Sequence, residues 1–305
     1  MRPPRTCLQL HLLLLLAGPG VAWAAVADSF RDCSQFLYMR TPPTGLRGLD
    51  LRRICQRYGD KPRYATLYDR ARRLPIYSAY TFKKSDGQSR VDTPWMYEPQ
   101  MASEEEDRNM KMLPPDGELD PLIEESQVVL QDYTDAVMYE RGQLNPDQHQ
   151  ADSEDKAATY TLTNVVPLVS SFLDESWAAY LDAVRRRLNN FCRGTSYVVT
   201  GVTVSGAMIR RNNVDRLAVP RFLWSAYCCP RFDRNAPYEV RHKLPTYAAY
   251  GRNEQVGHGV LELPLRALQT FLNNQTDVDR NLALFHRDCI TENTTKRRRK
   301  RKRKR

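Results

Sequence analysis

Segments rich in apolar, β-branched and aromatic residues alternate with polar turns along most of this chain. Short segments of this composition, bounded by turn residues, are typical of β-strands. The segments with this character are residues 63–68, 74–82, 157–166, 197–204 and 217–227. The first two are separated only by a basic turn, so they predict two consecutive strands.

Two other segments have helical rather than strand periodicity. Residues 172–188 carry apolar side chains at helical spacing and predict a long amphipathic helix, and residues 261–272 predict a short final helix. Residues 83–127 are polar, acidic and proline-containing, which indicates a long loop or insertion. The order of these elements favours a mixed α+β fold with one core rather than alternating βαβ units.

The N-terminal pattern differs from the rest and bears on the cellular compartment. Two arginines precede an apolar run over residues 8–16, and Ala22 and Ala24 provide small residues at a cleavage site. This arrangement predicts a signal peptide over residues 1–24, with an uncleaved anchor as the alternative. Later segments lack the roughly 18 apolar residues that a spanning helix needs. We therefore expect a secreted protein or one in the lumen of the secretory pathway.

Six cysteines follow the predicted signal peptide, and an even number in an oxidising compartment favours disulfides over a metal site. They are Cys33, Cys55, Cys192, Cys228, Cys229 and Cys289. The adjacent Cys228 and Cys229 are expected to bond elsewhere rather than with each other, and the remaining pairing stays open. Sequons at Asn274 and Asn293 are candidate glycosylation sites on the secretory route.

The net charge of +10 is concentrated at the C-terminus. All ten residues from 296 to 305 are basic, so the remaining 36 basic residues balance 36 acidic ones. Such a block of like charge predicts a disordered tail over residues 291–305. It would hold nucleic acid or another polyanion by counterion release, and an end with no selected role is the alternative. The candidate nucleic-acid contacts in this tail are Lys296, Arg297, Arg298, Arg299, Lys300 and Arg301.

Two short motifs indicate a specific family. They read Glu-Arg-Gly-Gln-Leu-Asn-Pro at residues 140–146 and Thr-Leu-Thr-Asn-Val-Val-Pro at residues 161–167. Together they resemble the two signatures of the DNA/RNA non-specific endonuclease family, the relatives of endonuclease G and the Serratia nuclease. The resemblance implies a nuclease-like domain over residues 28–290 with the ββα-metal (His-Me finger) fold. That fold has a mixed antiparallel sheet core and a long motif helix.

The same resemblance assigns roles to individual positions. In this family a divalent ion, Mg²⁺ or Mn²⁺, binds the scissile phosphate, and a histidine takes the proton of the attacking water. Gln143 stands at the histidine position, Arg141 at an arginine that contacts phosphate, and Asn164 at an asparagine that supports the site. A glutamine amide is not basic near pH 7, and loss of a general base costs about 10²- to 10⁴-fold in rate.

The metal position departs from the family pattern as well. Leu173 stands where the family has its metal-binding asparagine, and Leu181 where a glutamate supports the water shell of the ion. Leucine offers no oxygen to a hard cation. A shift in the alignment would instead bring Asp174 or Glu175 to the metal position, and the sequence leaves that alternative open.

These substitutions predict degenerate catalysis in a protein that binds at most nucleic acid or phosphate. With the predicted signal peptide, they favour a secreted or luminal protein of this kind. One alternative is an active metal-dependent DNase/RNase that uses another base, such as His149, which we expect to be an exposed loop residue. Another is a protein-interaction module in immune or secretory signalling, since a fold does not fix a function.

Overall fold

A sheet of eight antiparallel strands runs through the centre of the protein. The structure is a computed structural model, and it describes residues 25–87, 91–115, 118–275 and 278–290. In spatial order its strands are β1 (Val26–Ala27), β3 (Leu51–Tyr58), β4 (Lys61–Asp69), β5 (Leu74–Phe82), β10 (Ser196–Arg211), β11 (Val214–Cys228), β12 (Thr246–Arg252) and β13 (Val260–Leu263). The predicted signal peptide (1–24), Asn293 and the basic tail lie outside the described residues.

The remaining strands form three separate pairs beside this sheet. These are β2 (Thr44–Leu46) with β14 (Val278–Ala283), β6 (Met96–Tyr97) with β7 (Lys111–Met112), and β8 (Tyr139–Gln143) with β9 (Val165–Val169). The α-helices are α1 (Pro121–Ser126), α2 (Ser153–Ala157), α3 (Ala178–Phe191), α4 (Tyr238–Arg241) and α5 (Leu265–Asn273). None of the helices in the described ranges combines the length and hydropathy that a membrane crossing requires.

Apolar side chains cover both faces of the sheet, which is why all nine residues of the central strand β5 are buried. On one face, Tyr80 packs in a cluster with β9 and the helix that follows it, including Trp177 and Leu181. On the other face, Ala79 belongs to a second cluster that includes Leu268 of α5. The mixture of antiparallel sheet and helices confirms the predicted α+β class.

Three predicted elements differ from the structure. The segment 83–127, predicted as a long loop or insertion, contains β6, β7 and α1. The predicted strand over residues 157–166 begins only at Val165, because Thr159 donates its hydroxyl to the carbonyl of Lys156 (2.7 Å) and residues 162–164 form a 3₁₀ turn. Local bonds of this kind compete with strand pairing. The predicted helix over 261–272 starts at Leu265, since residues 260–263 pair with β12 and Pro264 disfavours helical geometry in the residue before it.

Three disulfides connect the periphery to the sheet, and they contain all six predicted cysteines. The pairs are Cys33–Cys55, Cys192–Cys229 and Cys228–Cys289. The adjacent cysteines bond elsewhere, as predicted. Cys229 joins the end of β11 to the end of α3, and Cys228 joins the end of β11 to the C-terminal segment. Asn274 is exposed directly after α5, where a glycan would meet solvent.

Candidate active-site cleft

The two motifs form a β-hairpin that leads into a helix. Gln143 of β8 lies opposite Val165 of β9, and Arg141 lies opposite Pro167. A π-helical turn over Phe172–Trp177 follows and continues directly into α3. This is the ββα arrangement that the resemblance implies.

A glycine allows the two strands of the hairpin to pack closely. A β-carbon on Gly142 would lie 2.3 Å from Cδ1 of the buried Leu168, much closer than two carbon atoms can approach. The glycine therefore lets the Leu168 side chain cross β8. Leu168 belongs to the apolar core on this side of the sheet.

A cleft of about 260 Å³ lies beside this hairpin and helix. Its polar and charged residues are Glu140, Arg141, Gln143, Asp147, Gln148 and Asp174, and its apolar and aromatic residues are Trp95, Pro146, Tyr160, Leu173, Ala178 and Leu181. The structure thus brings together five of the positions singled out in the motifs and the helix, namely Arg141, Gln143, Leu173, Asp174 and Leu181. Asn164 is absent from the lining, because its side chain lies in the buried layer behind it.

The amide of Gln143 is held at both ends. Its Nε2 donates to the carbonyl oxygen of Thr159 (3.1 Å) and to the hydroxyl of the same residue (3.0 Å), while its Oε1 accepts from the backbone N–H of Asp147 (3.2 Å). A neutral amide in this position orients its neighbours but accepts no proton near pH 7. The amide at the predicted general-base position is therefore engaged in structural hydrogen bonds.

Asn164 acts as a support rather than as a ligand-contacting group. Its Oδ1 accepts from the hydroxyl of Ser78 (2.9 Å) and the N–H of Asn145 (3.0 Å). Its Nδ2 donates to the carbonyl oxygens of Asn145 (3.0 Å) and Thr159 (2.9 Å). These four bonds use the full capacity of a buried amide, and they fix the loop that carries Gln143 against the sheet.

Arg141 is the cation of the cleft. Its guanidinium stacks over the rings of Trp95 (5.0 Å) and Tyr133 (5.7 Å). Within the described part of the chain the guanidinium has neither an ion pair nor a hydrogen bond, and its Nε is buried without a partner. Stacking on aromatic rings fixes the plane of an arginine while leaving its donors directed outward, which suits recognition of a phosphate or carboxylate.

The residues at the metal position that the resemblance predicts do not fit a divalent ion. Leu173 and Leu181 line the cleft with methyl groups, and Mg²⁺ or Ca²⁺ takes oxygen ligands. Asp174 is exposed at the cleft, and the exposed Glu175 lies near His258 instead, with 3.8 Å between its Oε2 and Nε2 of the histidine. Asp147 accepts from the hydroxyl of Tyr160 at 2.8 Å. Among the described residues no three His, Cys, Asp or Glu side chains converge as a metal site would require.

The prediction that His149 is an exposed loop residue was wrong. The side chain is buried, with Nε2 at 3.1 Å from the carbonyl oxygen of Leu181 and Nδ1 at 2.8 Å from the hydroxyl of Tyr80. Since a carbonyl only accepts, Nε2 carries the proton and Nδ1 accepts from the tyrosine. Burial lowers the pKa of His149 to about 4, so the ring is neutral. The ring connects α3 to strand β5 of the sheet and does not line the cleft.

Sequence reasoning missed the aromatic side of the cleft. Trp95 and Tyr160 stand with their ring centroids 5.4 Å apart, and the ring of Tyr133 lies 5.7 Å from the guanidinium of Arg141. Trp95 comes from the segment that was predicted as a polar loop. A tryptophan in an otherwise acidic, proline-containing stretch is the one signal that would have indicated a packed position there.

Comparison with known proteins agrees with this geometry. Residues 52–284 match the family model described as DNA/RNA non-specific endonuclease. The endonuclease domain-containing 1 proteins of Homo sapiens and Mus musculus are 33% and 31% identical to the chain over 208 and 215 residues. Each match covers 66% of this chain and 39% of the relative, so the chain spans about two fifths of the length of these relatives.

A solved structure shares the fold. A chain in the crystal structure of the EndoG/EndoGI complex, which concerns the mechanism of EndoG inhibition, aligns with a TM-score of 0.50 at 18% sequence identity. The alignment covers 82% of this chain and 91% of that chain. At this identity the likeness concerns the fold alone, and it confirms the predicted nuclease fold.

Proposed function

This chain belongs to the DNA/RNA non-specific endonuclease family, and we propose that it is a catalytically degenerate member whose cleft binds phosphate through Arg141. The nuclease-like domain comprises residues 28–290. General-base chemistry is lost at Gln143 and ion binding at Leu173. The protein functions as a binder rather than as a hydrolase.

The observation that carries this proposal is the contrast between neighbouring residues in one cleft. Arg141 presents a stacked guanidinium with no partner in the described chain, whereas Gln143 has both ends of its amide engaged. Leu173 and Leu181 give the cleft methyl groups where an ion would need oxygen atoms. Among the described residues of the cleft, the group that recognises an anion is thus present, and the expected histidine base and metal-binding asparagine are not.

A nuclease assay with designed revertants tests the degeneracy. We expect no plasmid nicking or RNA digestion by the disulfide-intact protein with Mg²⁺ or Mn²⁺. We expect the same of Gln143→His, because a base alone does not restore the ion site. Robust turnover by the parent protein that disappears in Gln143→Ala would contradict the proposal. A steep rise in Gln143→His alone would show that the ion site is intact.

The phosphate contact is tested separately from catalysis. Binding of inorganic phosphate, measured calorimetrically, is expected to fall in Arg141→Ala and to persist in Arg234→Ala, an exposed arginine outside the cleft. Equal binding by parent protein and Arg141→Ala would remove the proposed contact.

A secreted or luminal location forms part of the same proposal. The support is that all six cysteines of the described chain are in disulfides, which persist in oxidising compartments. Exposed Asn274 is then a glycan acceptor, and the basic tail binds polyanions. Expression in secretory cells followed by glycosidase treatment tests the location. Recovery of unglycosylated protein from the cytosol alone would contradict it.

A further inference from the structure

The cleft has two sides of different chemistry. Its apolar side (Leu173, Ala178 and Leu181) presents methyl groups, and its aromatic wall (Trp95 and Tyr160) presents two rings 5.4 Å apart. Apolar side chains of this kind accept a flat ring and offer nothing to a hydrated ion. The substitutions that remove ion chemistry therefore create a surface for an apolar group.

The charge balance of the cleft limits how much anion it accepts. Among the described residues that line the cleft, Arg141 is the one cation, and the carboxylates of Glu140, Asp147 and Asp174 line it as well. One positive charge stands against three negative ones. A strand with several successive phosphates would bring charge toward these carboxylates, whereas a single phosphate on Arg141 meets a favourable partner. The cleft is matched to one anionic group.

We propose that the cleft binds a nucleoside monophosphate without a metal ion, with its phosphate on Arg141 and its base against the apolar side and the aromatic wall. This inference rests on the proposed function, because it takes the phosphate contact as given. The volume of about 260 Å³ is near the lower end of ligand pockets, which span about 300–1,000 Å³. That size suits one nucleotide better than a strand.

Calorimetry with ligand fragments tests the proposal. The probes are adenosine 5′-monophosphate, adenosine, inorganic phosphate and a short oligothymidylate, titrated into the full chain in EDTA. Stacking of one base on aromatic side chains contributes about 5- to 150-fold in affinity, and we expect the nucleotide to exceed inorganic phosphate by a factor in that range. Arg141→Ala is expected to abolish nucleotide binding, and Arg234→Ala to leave it intact. Any binding by the C-terminal tail is common to all these proteins, so differences between variants report on the cleft.

A second pair of variants isolates the base contact. Leu173→Asn places a polar group on the apolar side, and we expect it to weaken nucleotide binding at least fivefold while phosphate binding stays unchanged. Leu173→Met keeps the side chain apolar and is expected to bind like the parent protein. Because Leu173 is only partly buried, both variants should fold.

The outcomes separate this inference from the proposed function. Nucleotide binding no tighter than phosphate binding would overturn the inference and leave the phosphate contact standing. A requirement for Mg²⁺ in nucleotide binding would also overturn it. So would an Arg141→Ala variant that loses more affinity for the oligothymidylate than for the nucleotide. Phosphate binding that is unchanged in Arg141→Ala would overturn both.

Discussion

A buried carboxyl group near the cleft makes the stability of the protein depend on pH. Glu98 is 1% exposed, and its Oε1 accepts a 3.3 Å hydrogen bond from the hydroxyl of Thr161. In the described part of the chain it has no ion pair with a cation. Burial raises the pKa of Glu98 from the ordinary 4.5 to about 8, so the folded protein holds this group protonated at neutral pH. Replacement by glutamine, which cannot ionise, removes this effect.

The magnitude follows from the difference between the folded and unfolded pKa values. The unfolded chain releases the proton near pH 4.5, whereas the folded chain keeps it until about pH 8. The contribution of the Glu98 carboxyl to the free energy of unfolding is therefore fully present below pH 4.5. It is lost as the pH rises from there through about 8. Each pH unit in this interval lowers the free energy of unfolding by about 1.4 kcal/mol, to a total of about 5 kcal/mol. At pH 7 roughly 3 kcal/mol of this loss has occurred.

Urea unfolding at several pH values measures the effect. Trp177 and Trp224 are fully buried and report unfolding by fluorescence. We expect the stability of Glu98→Gln relative to the parent protein to rise by about 3–4 kcal/mol between pH 5 and pH 8. Glu105→Gln, an exposed carboxyl in the same segment, is the matched control and should follow the parent. Parallel pH profiles for Glu98→Gln and the parent would refute the reasoning, because they would show that the Glu98 carboxylate is stabilised in the folded state.

Three further predictions concern the support of the cleft, the disulfides and the tail. Asn164→Ala removes four buried hydrogen bonds and is expected to lower the free energy of unfolding by about 2–4 kcal/mol in urea titrations. A change below about 1 kcal/mol would show that the loop does not depend on Asn164. Replacing Cys228 and Cys289 together by serine should cost about 2–5 kcal/mol in the same assay, whereas an unchanged midpoint would mean that this disulfide is dispensable. Deletion of residues 296–305 should abolish salt-sensitive, sequence-independent binding to heparin, and retained binding would place polyanion recognition in the folded domain.

The elements that the sequence predicts well are those whose local chemistry and tertiary setting agree. Strand β5 coincides with the predicted residues 74–82, because a segment so rich in β-branched and aromatic residues is also buried on both faces. The motif helix begins at Phe172 as predicted, although its first turn is π-helical. The separate pairing of Cys228 and Cys229 follows from the geometry of adjacent residues, whose side chains cannot bond each other without strain.

The predictions that failed depend on contacts with distant residues. His149 looks like a solvated loop residue in a polar stretch, but α3 covers it and supplies a carbonyl acceptor 32 residues away. The threonines after residue 157 have strand propensity, yet Thr159 serves as the acceptor for Gln143 and so takes a different backbone course. Trp95 reaches the cleft from a segment whose composition indicates solvent. Periodicity reports which face of an element is apolar, and it carries no information about which distant element covers it.

The contrast between Asn164 and Leu173 explains why the motifs identify the fold better than the activity. Asn164 satisfies buried backbone groups on two loops, so its loss would destabilise the protein whether or not it hydrolyses anything. Position 173 lies on a cleft wall and is only partly buried, so a change there alters the chemistry at little cost to folding. Arg141 combines both kinds of role, since it packs on Trp95 and presents a guanidinium that has no hydrogen-bond or ion-pair partner among the described residues. A family signature is therefore strongest at positions that hold the loop together, and activity has to be judged at the positions that face the cleft.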